Sequence, residues 1–282
     1  MSSSADILWI GIGNLIYTLG FVTAILYLIR HRHHPRWLLY MIIAGGYAIH
    51  TYGLYLRGME VGGCPIGNTF EIVQFVIWSL TFCFLVLGPA FRLSLFGFFT
   101  AGMAALLSVL AFIFKNWDTP YPLEASKVSP AIEFHASLAV FSYGIFGLLG
   151  ISSILYILQN YSLKHHRWKG VYEFLPSLVE SETMTLRMLA AGSGVLTVSL
   201  LVGYSYWVQN AAEINTAKLT ATVAVWLAYL VVLFLRLTNR LYAKKLAWTS
   251  IVLFLFALLS IWPVDASRQA KHSAMVSTEM SP

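Results

Sequence analysis

The amino-acid sequence predicts an all-α protein, a polytopic membrane bundle of about eight transmembrane helices. Of its 282 residues, 58% are hydrophobic and 11% are charged, whereas a soluble domain carries about 25% charged residues. The apolar residues come in runs of about 20, the length at which a helix crosses a hydrocarbon core of roughly 30 Å. The strand alternation of a membrane β-barrel is absent, and helices satisfy their own backbone hydrogen bonds inside lipid.

Apolar segments follow one another along the whole chain, and we expect residues 1–282 to form a single integral membrane domain. The N-terminal segment lacks the basic region and the cleavage site of a signal peptide, so the first span is expected to remain in the protein. Between the fifth and sixth spans we expect a short surface helix near 173–188. The predicted spans lie near 7–29, 37–56, 71–89, 93–114, 135–159, 189–208, 219–237 and 246–262.

The basic residues predict the orientation. Twelve of the 18 Lys and Arg residues fall in one set of loops, and the richer side of an inner-membrane protein is cytoplasmic. Both termini and the loops 57–70, 115–134 and 209–218 are therefore expected on the outer, periplasmic side of a multi-pass protein in the cell inner membrane. The net charge of +6 then follows from topology, and no nucleic-acid partner is predicted beside the lipid bilayer.

Polar residues gather just before the third span. Asn68 precedes Glu71 by three residues, the spacing of a helix N-cap with its capping box. Glu71 could serve only as that cap, or it could pair with Arg57 and close the outer loop over a ligand. Cys64 lies in this loop and Cys83 lies about 18 Å down the third helix, so no intrachain disulfide is expected.

Histidines and aromatic residues suggest a second site on the same side. His135 and His272 both fall on the predicted outer face, and two neutral imidazoles can six-coordinate a haem iron. Two outward histidines also occur by chance, and His50 inside the second span can simply bond a neighbouring helix. Aromatic residues near this face could form an interfacial belt or the wall of a porphyrin site: Trp117, Tyr121, Tyr204, Tyr206 and Trp207.

The order of several short motifs resembles a known family. These motifs are His50 to Arg57; Gly63-Cys64-Pro65 with Asn68, Glu71 and Trp78; His135 to Gly144; Leu175 to Leu178 with Glu180, Arg187, Leu196-Thr197 and Gly203 to Trp207; Trp226, Tyr229 and Arg236; and Val264-Asp265 with His272-Ser273. Over residues of about 45–273 the chain resembles the cytochrome c assembly protein family, and within it the CcsA/HemX branch.

The resemblance implies haem as the ligand. CcsA-type members, with a partner membrane subunit, move haem outward and present it to apocytochrome c over a Trp-rich motif that ends in Asp-Pro-Lys. Two external histidines flank that motif, and they match His135 and His272. Here the residues between Trp207 and Lys218 read VQNAAEINTA, and Phe234 occupies the position of an intramembrane haem-ligand histidine. These departures resemble the HemX-type members, which lack the Trp-rich motif.

The leading hypothesis is a membrane haem-handling protein that binds or presents haem at the outer face, for cytochrome c biogenesis or haem metabolism. His135 and His272 would ligate haem non-covalently, and Trp207 would contact it. Basic residues would pair with the propionates: Lys218, Arg268, Lys115 and Lys127. The predicted outer face carries no spaced acid–base pair and no Ser/His/Asp set, so the sequence does not indicate an enzyme. The alternatives are a regulatory or structural subunit that binds a protein partner without haem, and a transporter, which should carry charges at the bilayer midplane.

Overall fold

The computed structural model describes residues 4–30, 36–91, 94–118, 129–165, 177–208 and 216–261, which are helical apart from short connections. The predicted all-α fold is confirmed for these residues. The helices are α1 (Ser4–Ile29), α2 (Arg36–Val61), α3 (Thr69–Phe91), α4 (Ser94–Ile113), α5 (Pro130–His165), α6 (Leu178–Trp207), α7 (Thr216–Leu237) and α8 (Ala243–Leu259), with a 3-10 turn at Lys115–Trp117 after α4.

Six of the described helices are long and apolar enough to cross a membrane, so the chain is a helical membrane protein. They are α1, α3, α4, α5, α6 and α7. The helix α8 has 17 residues, and α2 has 26 residues but includes the polar His50, Arg57 and Glu60. Each of the eight predicted spans overlaps one of the eight described α-helices.

The helices form two groups that meet at α5. In the first group α1 packs on α2 and α4, and α3 packs on α4. In the second, α5 packs on α6 and α8, while the contact between α3 and α5 joins the groups. At one end of this bundle α1, α3 and α5 begin and α2, α4 and α6 end. This end is called the His135 end below, because His135 lies there, on the second turn of α5.

A glycine permits the close contact between the two groups. A Cβ atom on Gly144 of α5 would lie 2.6 Å from the backbone nitrogen of Leu80 on α3. Real Cβ atoms do not approach backbone that closely, so only glycine allows this crossing. Small residues at such a crossing let two helix backbones pack in lipid, where hydrophobic burial alone gives no preference for helix contact.

The prediction of a separate surface helix near 173–188 is wrong for the described part of this range. Residues 178–188 continue without a break into α6, which runs to Trp207. Ser177 and Glu180 form a reciprocal capping box that starts the helix at this point,. Met184 and Met188 are buried, so one face of this first part of α6 packs against the rest of the protein. The preceding residues 166–176 lie outside the described part of the chain.

Candidate functional site

His135 is held by Ser199 of α6. The imidazole Nδ1 lies 2.6 Å from the Ser199 carbonyl oxygen, and the Ser199 hydroxyl donates to the His135 carbonyl oxygen at 2.7 Å. A carbonyl oxygen can only accept, so Nδ1 carries the proton of this hydrogen bond. In the neutral ring the lone pair then lies on Nε2. The tautomer that this contact selects is the one that ligates iron through Nε2.

Two further residues of α6 complete the surroundings of His135. A Cβ atom on Gly203 would lie 2.7 Å from His135 Nδ1, so the imidazole occupies the space that a side chain would take. The Trp207 ring stands edge-on to the imidazole, with centroids 5.5 Å apart and an interplanar angle of 79°. Ser199, Gly203 and Trp207 are spaced by four residues and share one face of α6. These three residues are called the His135 socket.

The structure brings together two of the predicted site residues, His135 and Trp207. Lys115 lies in the 3-10 turn after α4 and is exposed. The backbone of Lys218 is part of α7, but its side chain lies outside the described residues, as do Arg268, His272, Lys127 and Tyr121. Ser199 and Gly203 were not predicted as site residues. The signal that could have indicated them is their four-residue spacing from Trp207.

A buried cluster of charges also lies at the His135 end. The predicted contact between Arg57 and Glu71 is confirmed, with Arg57 Nε donating to Glu71 Oε1 at 2.8 Å. Arg57 Nη1 donates to Asp6 Oδ2 at 3.0 Å, and Nη2 donates to Asp118. The Arg57 side chain is 5% exposed and that of Asp6 is 1% exposed. One guanidinium therefore links the ends of α1, α2 and α3 with the 3-10 turn that follows α4. Arg57, Asp6, Glu71 and Asp118 are called the Arg57 cluster.

Glu71 takes part in the predicted cap and also pairs with Arg57, so it is more than a cap. Its backbone nitrogen donates to Asn68 Oδ1 at 2.8 Å, which is the predicted N-cap. Its carboxylate accepts from Arg57 and, through Oε2, from the Gly67 nitrogen at 2.6 Å. The cap therefore orients the carboxylate that Arg57 binds.

The loop 62–68 joins this cluster to α5. The Ser137 hydroxyl lies 3.2 Å from Cys64 Sγ, and Glu133 packs against Gly63. Glu133 and Ser137 are four residues apart on one face of α5, whereas His135 points to the opposite side, towards α6. Cys64 and Cys83 are both free thiols.

Cys64 should react slowly with maleimides at neutral pH. Burial raises the pKa of the Cys64 thiol, and the thiolate is the reactive form. A raised pKa lowers the thiolate fraction at pH 7, so the labelling rate should keep increasing as the pH rises above 9. Peptide mass spectrometry after timed labelling in detergent measures this rate. The control is the same protein unfolded in SDS, and equal rates at pH 7 in the two states would contradict the prediction.

Phe234 does not face the interior of the bundle. Its side chain on α7 is 62% exposed. A separate groove of about 480 Å³ lies beside the end of α2. Its lining residues are Leu54, Tyr55, Gly58, Met59, Gly62, Gly63 and Pro65, none of which belongs to the His135 socket.

Comparisons with known proteins identify a matching family and several relatives of this chain. A family model described as Cytochrome C assembly protein matches residues 66–271. Protein HemX of Brevibacillus brevis is 29% identical over 160 residues, which are 56% of this chain and 57% of that protein, so the chain spans little more than half its length. Protein HemX of Bacillus subtilis (strain 168) is 23% identical over 257 residues, 90% of this chain and 93% of that protein.

A third relative is a protein named for cytochrome c biogenesis. Cytochrome c biogenesis protein CcsA of Chlamydomonas reinhardtii is 26% identical over 235 residues, which are 78% of this chain and 63% of that protein. The family match covers well over half of the chain. The chain therefore belongs to the cytochrome c assembly protein family and has both HemX and CcsA proteins among its relatives.

Proposed function

We propose that this protein binds haem at the His135 end of its bundle and presents it there, in cytochrome c biogenesis or haem metabolism. The observation that carries the proposal is the Nδ1 contact of His135 with the Ser199 carbonyl. It leaves Nε2 as the atom with a free lone pair, and no hydrogen bond of Nε2 to another described residue accompanies it. Family membership supports a role in cytochrome c biogenesis, and neutral imidazole is a strong axial ligand of haem iron.

His272 is the proposed second axial ligand. It is the eleventh residue after Ile261, and an extended backbone spans at most about 3.5 Å per residue. The tail starts close to the site, because the Ser260 hydroxyl lies 3.2 Å from the Tyr143 hydroxyl on α5. Tyr143 is eight residues, or about 12 Å of helix, from His135. The tail is therefore long enough to bring His272 to His135.

The remaining site residues have the chemistry that haem requires. The indole of Trp207 offers a flat apolar surface beside the imidazole,. Lys218 and Arg268, with Lys115 and Lys127, are the proposed partners of the propionates, because ammonium and guanidinium groups form charge-assisted hydrogen bonds with carboxylates.

We further propose that the His135 end faces the periplasm. Eight helices would then cross the inner membrane, and both termini would lie on the periplasmic side. The unequal distribution of Lys and Arg between the two sets of loops supports this orientation,. A recipient apocytochrome c, or a partner membrane subunit, would approach haem from the same side.

An absorbance spectrum of the detergent-purified protein tests the proposed function. We expect a Soret band with the α and β bands of bis-histidine haem, at no more than one haem per chain. The limit of one follows from Phe234, which cannot ligate iron and points away from the bundle interior. A colourless protein that also takes up no added haemin would contradict the proposal. It would favour the regulatory or structural subunit, for which the missing Trp-rich motif is the supporting observation.

Gly203→Ala should weaken haem binding. The added methyl would lie 2.7 Å from His135 Nδ1 and would force the imidazole out of its position. Overpacking of this kind costs about 1–3 kcal/mol, and each 1.4 kcal/mol corresponds to about a tenfold loss of affinity. Haemin titration followed in the Soret band measures the effect.

Gly194→Ala is the matched control on the same helix, because among the described residues no atom outside the backbone of this helix turn and the neighbouring residues lies within 4 Å of a Cβ placed there. It should bind haemin with wild-type affinity. Equal affinities of the two variants would show that the space beside Gly203 does not position the ligand.

A further inference from the structure

A group of polar side chains lies inside the bundle, between α1, α2 and α3. Asn14, His50 and Gln74 are exposed to 2%, 0% and 0% respectively. His50 is seven residues from Arg57 on α2, so this polar pocket lies about 10 Å below the Arg57 cluster. Polar groups at such a depth are costly unless each one is hydrogen-bonded.

The contacts within the polar pocket are incomplete. Asn14 Nδ2 donates to Gln74 Oε1 at 2.8 Å, and the Gln74 amide also lies beside His50. Asn14 Oδ1, Gln74 Nε2 and His50 Nε2 are buried and have no hydrogen-bond partner within the described part of the chain. These three unpaired atoms therefore belong to three side chains of which Gln74 contacts the other two.

The neighbouring hydroxyls decide which of these atoms accept. The Thr81 hydroxyl donates to the Ile77 carbonyl at 2.9 Å, so at its 3.4 Å contact with the Tyr17 hydroxyl Thr81 acts as the acceptor. Tyr17 then donates to Thr81 and offers only its oxygen lone pair to His50 Nδ1, 3.5 Å away. We therefore assign the proton of the neutral imidazole to Nδ1, which makes Nε2 an acceptor. The opposite tautomer would make Nε2 a second donor, and one water molecule matches that set as well, because it can accept two hydrogen bonds and donate one.

We propose that this polar pocket binds one water molecule, held by Asn14, His50 and Gln74. The three unpaired atoms are two acceptors, Asn14 Oδ1 and His50 Nε2, and one donor, the Gln74 Nε2 amide. A water molecule donates two hydrogen bonds and accepts at least one, so it matches this set. A metal cation or ammonium ion does not match, because neither can accept the Gln74 N–H.

The assignment does not depend on how the two amides are oriented. Rotating both by 180° makes Gln74 the donor to Asn14, which leaves Asn14 Nδ2 as a donor and Gln74 Oε1 as an acceptor. Together with His50 Nε2, the set is again one donor and two acceptors. The bound water bridges α1, α2 and α3 inside the membrane, where hydrogen bonds between helices contribute to their association.

Radiolytic hydroxyl-radical footprinting of the detergent-solubilised protein tests this site. Bound water generates radicals where it lies, so His50 should be oxidised although it is fully buried. Phe96 is the internal reference, because it is also 0% exposed and its ring packs against that of Phe84. Wild-type oxidation of His50 at the level of Phe96 would overturn the proposal, whatever the variants do.

The double variant Asn14→Leu/Gln74→Met removes the amides with little change in volume. Its His50 oxidation should fall to the level of Phe96. The control is Gln159→Met, which replaces another buried amide with an unpaired oxygen on α5 and should leave His50 oxidation unchanged. If the double variant keeps Phe96 protected and His50 fully oxidised, water reaches His50 by another route and the proposed ligands are wrong. The result is independent of haem, so it does not depend on the proposed function.

Discussion

Replacing both His135 and His272 by alanine is expected to remove haem from the purified protein. Each imidazole would supply one of the two axial bonds, and no other ligand of iron is proposed at the site. The pyridine haemochrome assay, normalised to protein, should give about one haem per chain for the wild type and none for the double variant. Single variants should retain one axial bond and bind haem more weakly, with an altered Soret band.

A matched control replaces His33 and His166, which fall in the two basic loops that the sequence places on the opposite side. That variant removes the same number of imidazoles and should keep the full haem content. Haem retained in full by the His135/His272 variant would mean that the site lies elsewhere. His50 would then be the next residue to replace, because it lies deep in the bundle and its Nε2 has no partner among the described residues.

Hydropathy predicted the helices well because lipid makes length and apolar composition decisive. It predicted their ends less well. The span expected at 135–159 belongs to a helix that runs from Pro130 to His165. At about 1.5 Å per residue its 36 residues form a helix of about 54 Å, longer than a hydrocarbon core. Hydropathy detects the apolar part of such a helix and not its extension into the polar interface.

Local spacing predicted the part of the Arg57 cluster that is close in sequence. Asn68 and Glu71 are three residues apart, and the pattern of a helix cap indicated them. Asp6 and Asp118 are separated from Arg57 by 51 and 61 residues. No periodicity connects positions so distant. Only the packing of α1 and of α4 with its following 3-10 turn against α2 brings them together. Ser199 is likewise 64 residues from His135.

The first turns of α5 connect the two sites. Glu133 and Ser137 contact the loop that carries Cys64, next to the Arg57 cluster, while His135 faces the α6 socket. A change in the position of α5 along its axis would therefore alter both sites together.

Arg57→Met should be strongly destabilising. The variant would leave three carboxylates without their cation, and the side chains of Asp6 and Glu71 are exposed by only 1% and 3%. Removing one partner of a buried ion pair typically costs about 3–5 kcal/mol, because the charge that remains is buried and uncompensated. We expect a large decrease in the thermal unfolding temperature in detergent, or failure to obtain folded protein. Arg57→Lys should also be destabilised, because an ammonium lacks the planar fork that reaches three carboxylates.

The control for Arg57 is Arg236→Met, which breaks the ion pair of Arg236 Nη2 with Glu182 at 2.7 Å. These side chains are 17% and 27% exposed, so solvent reduces the cost of an unpaired charge to about 1 kcal/mol.

Combining Arg57→Met with Asp6→Asn and Glu71→Gln should recover part of the lost stability, because it removes the buried charges that the arginine balanced. Equal unfolding temperatures for the Arg57 and Arg236 single variants would mean that the carboxylates of the Arg57 cluster need no cation. The cap formed by Asn68 would then be enough to hold this end of α3.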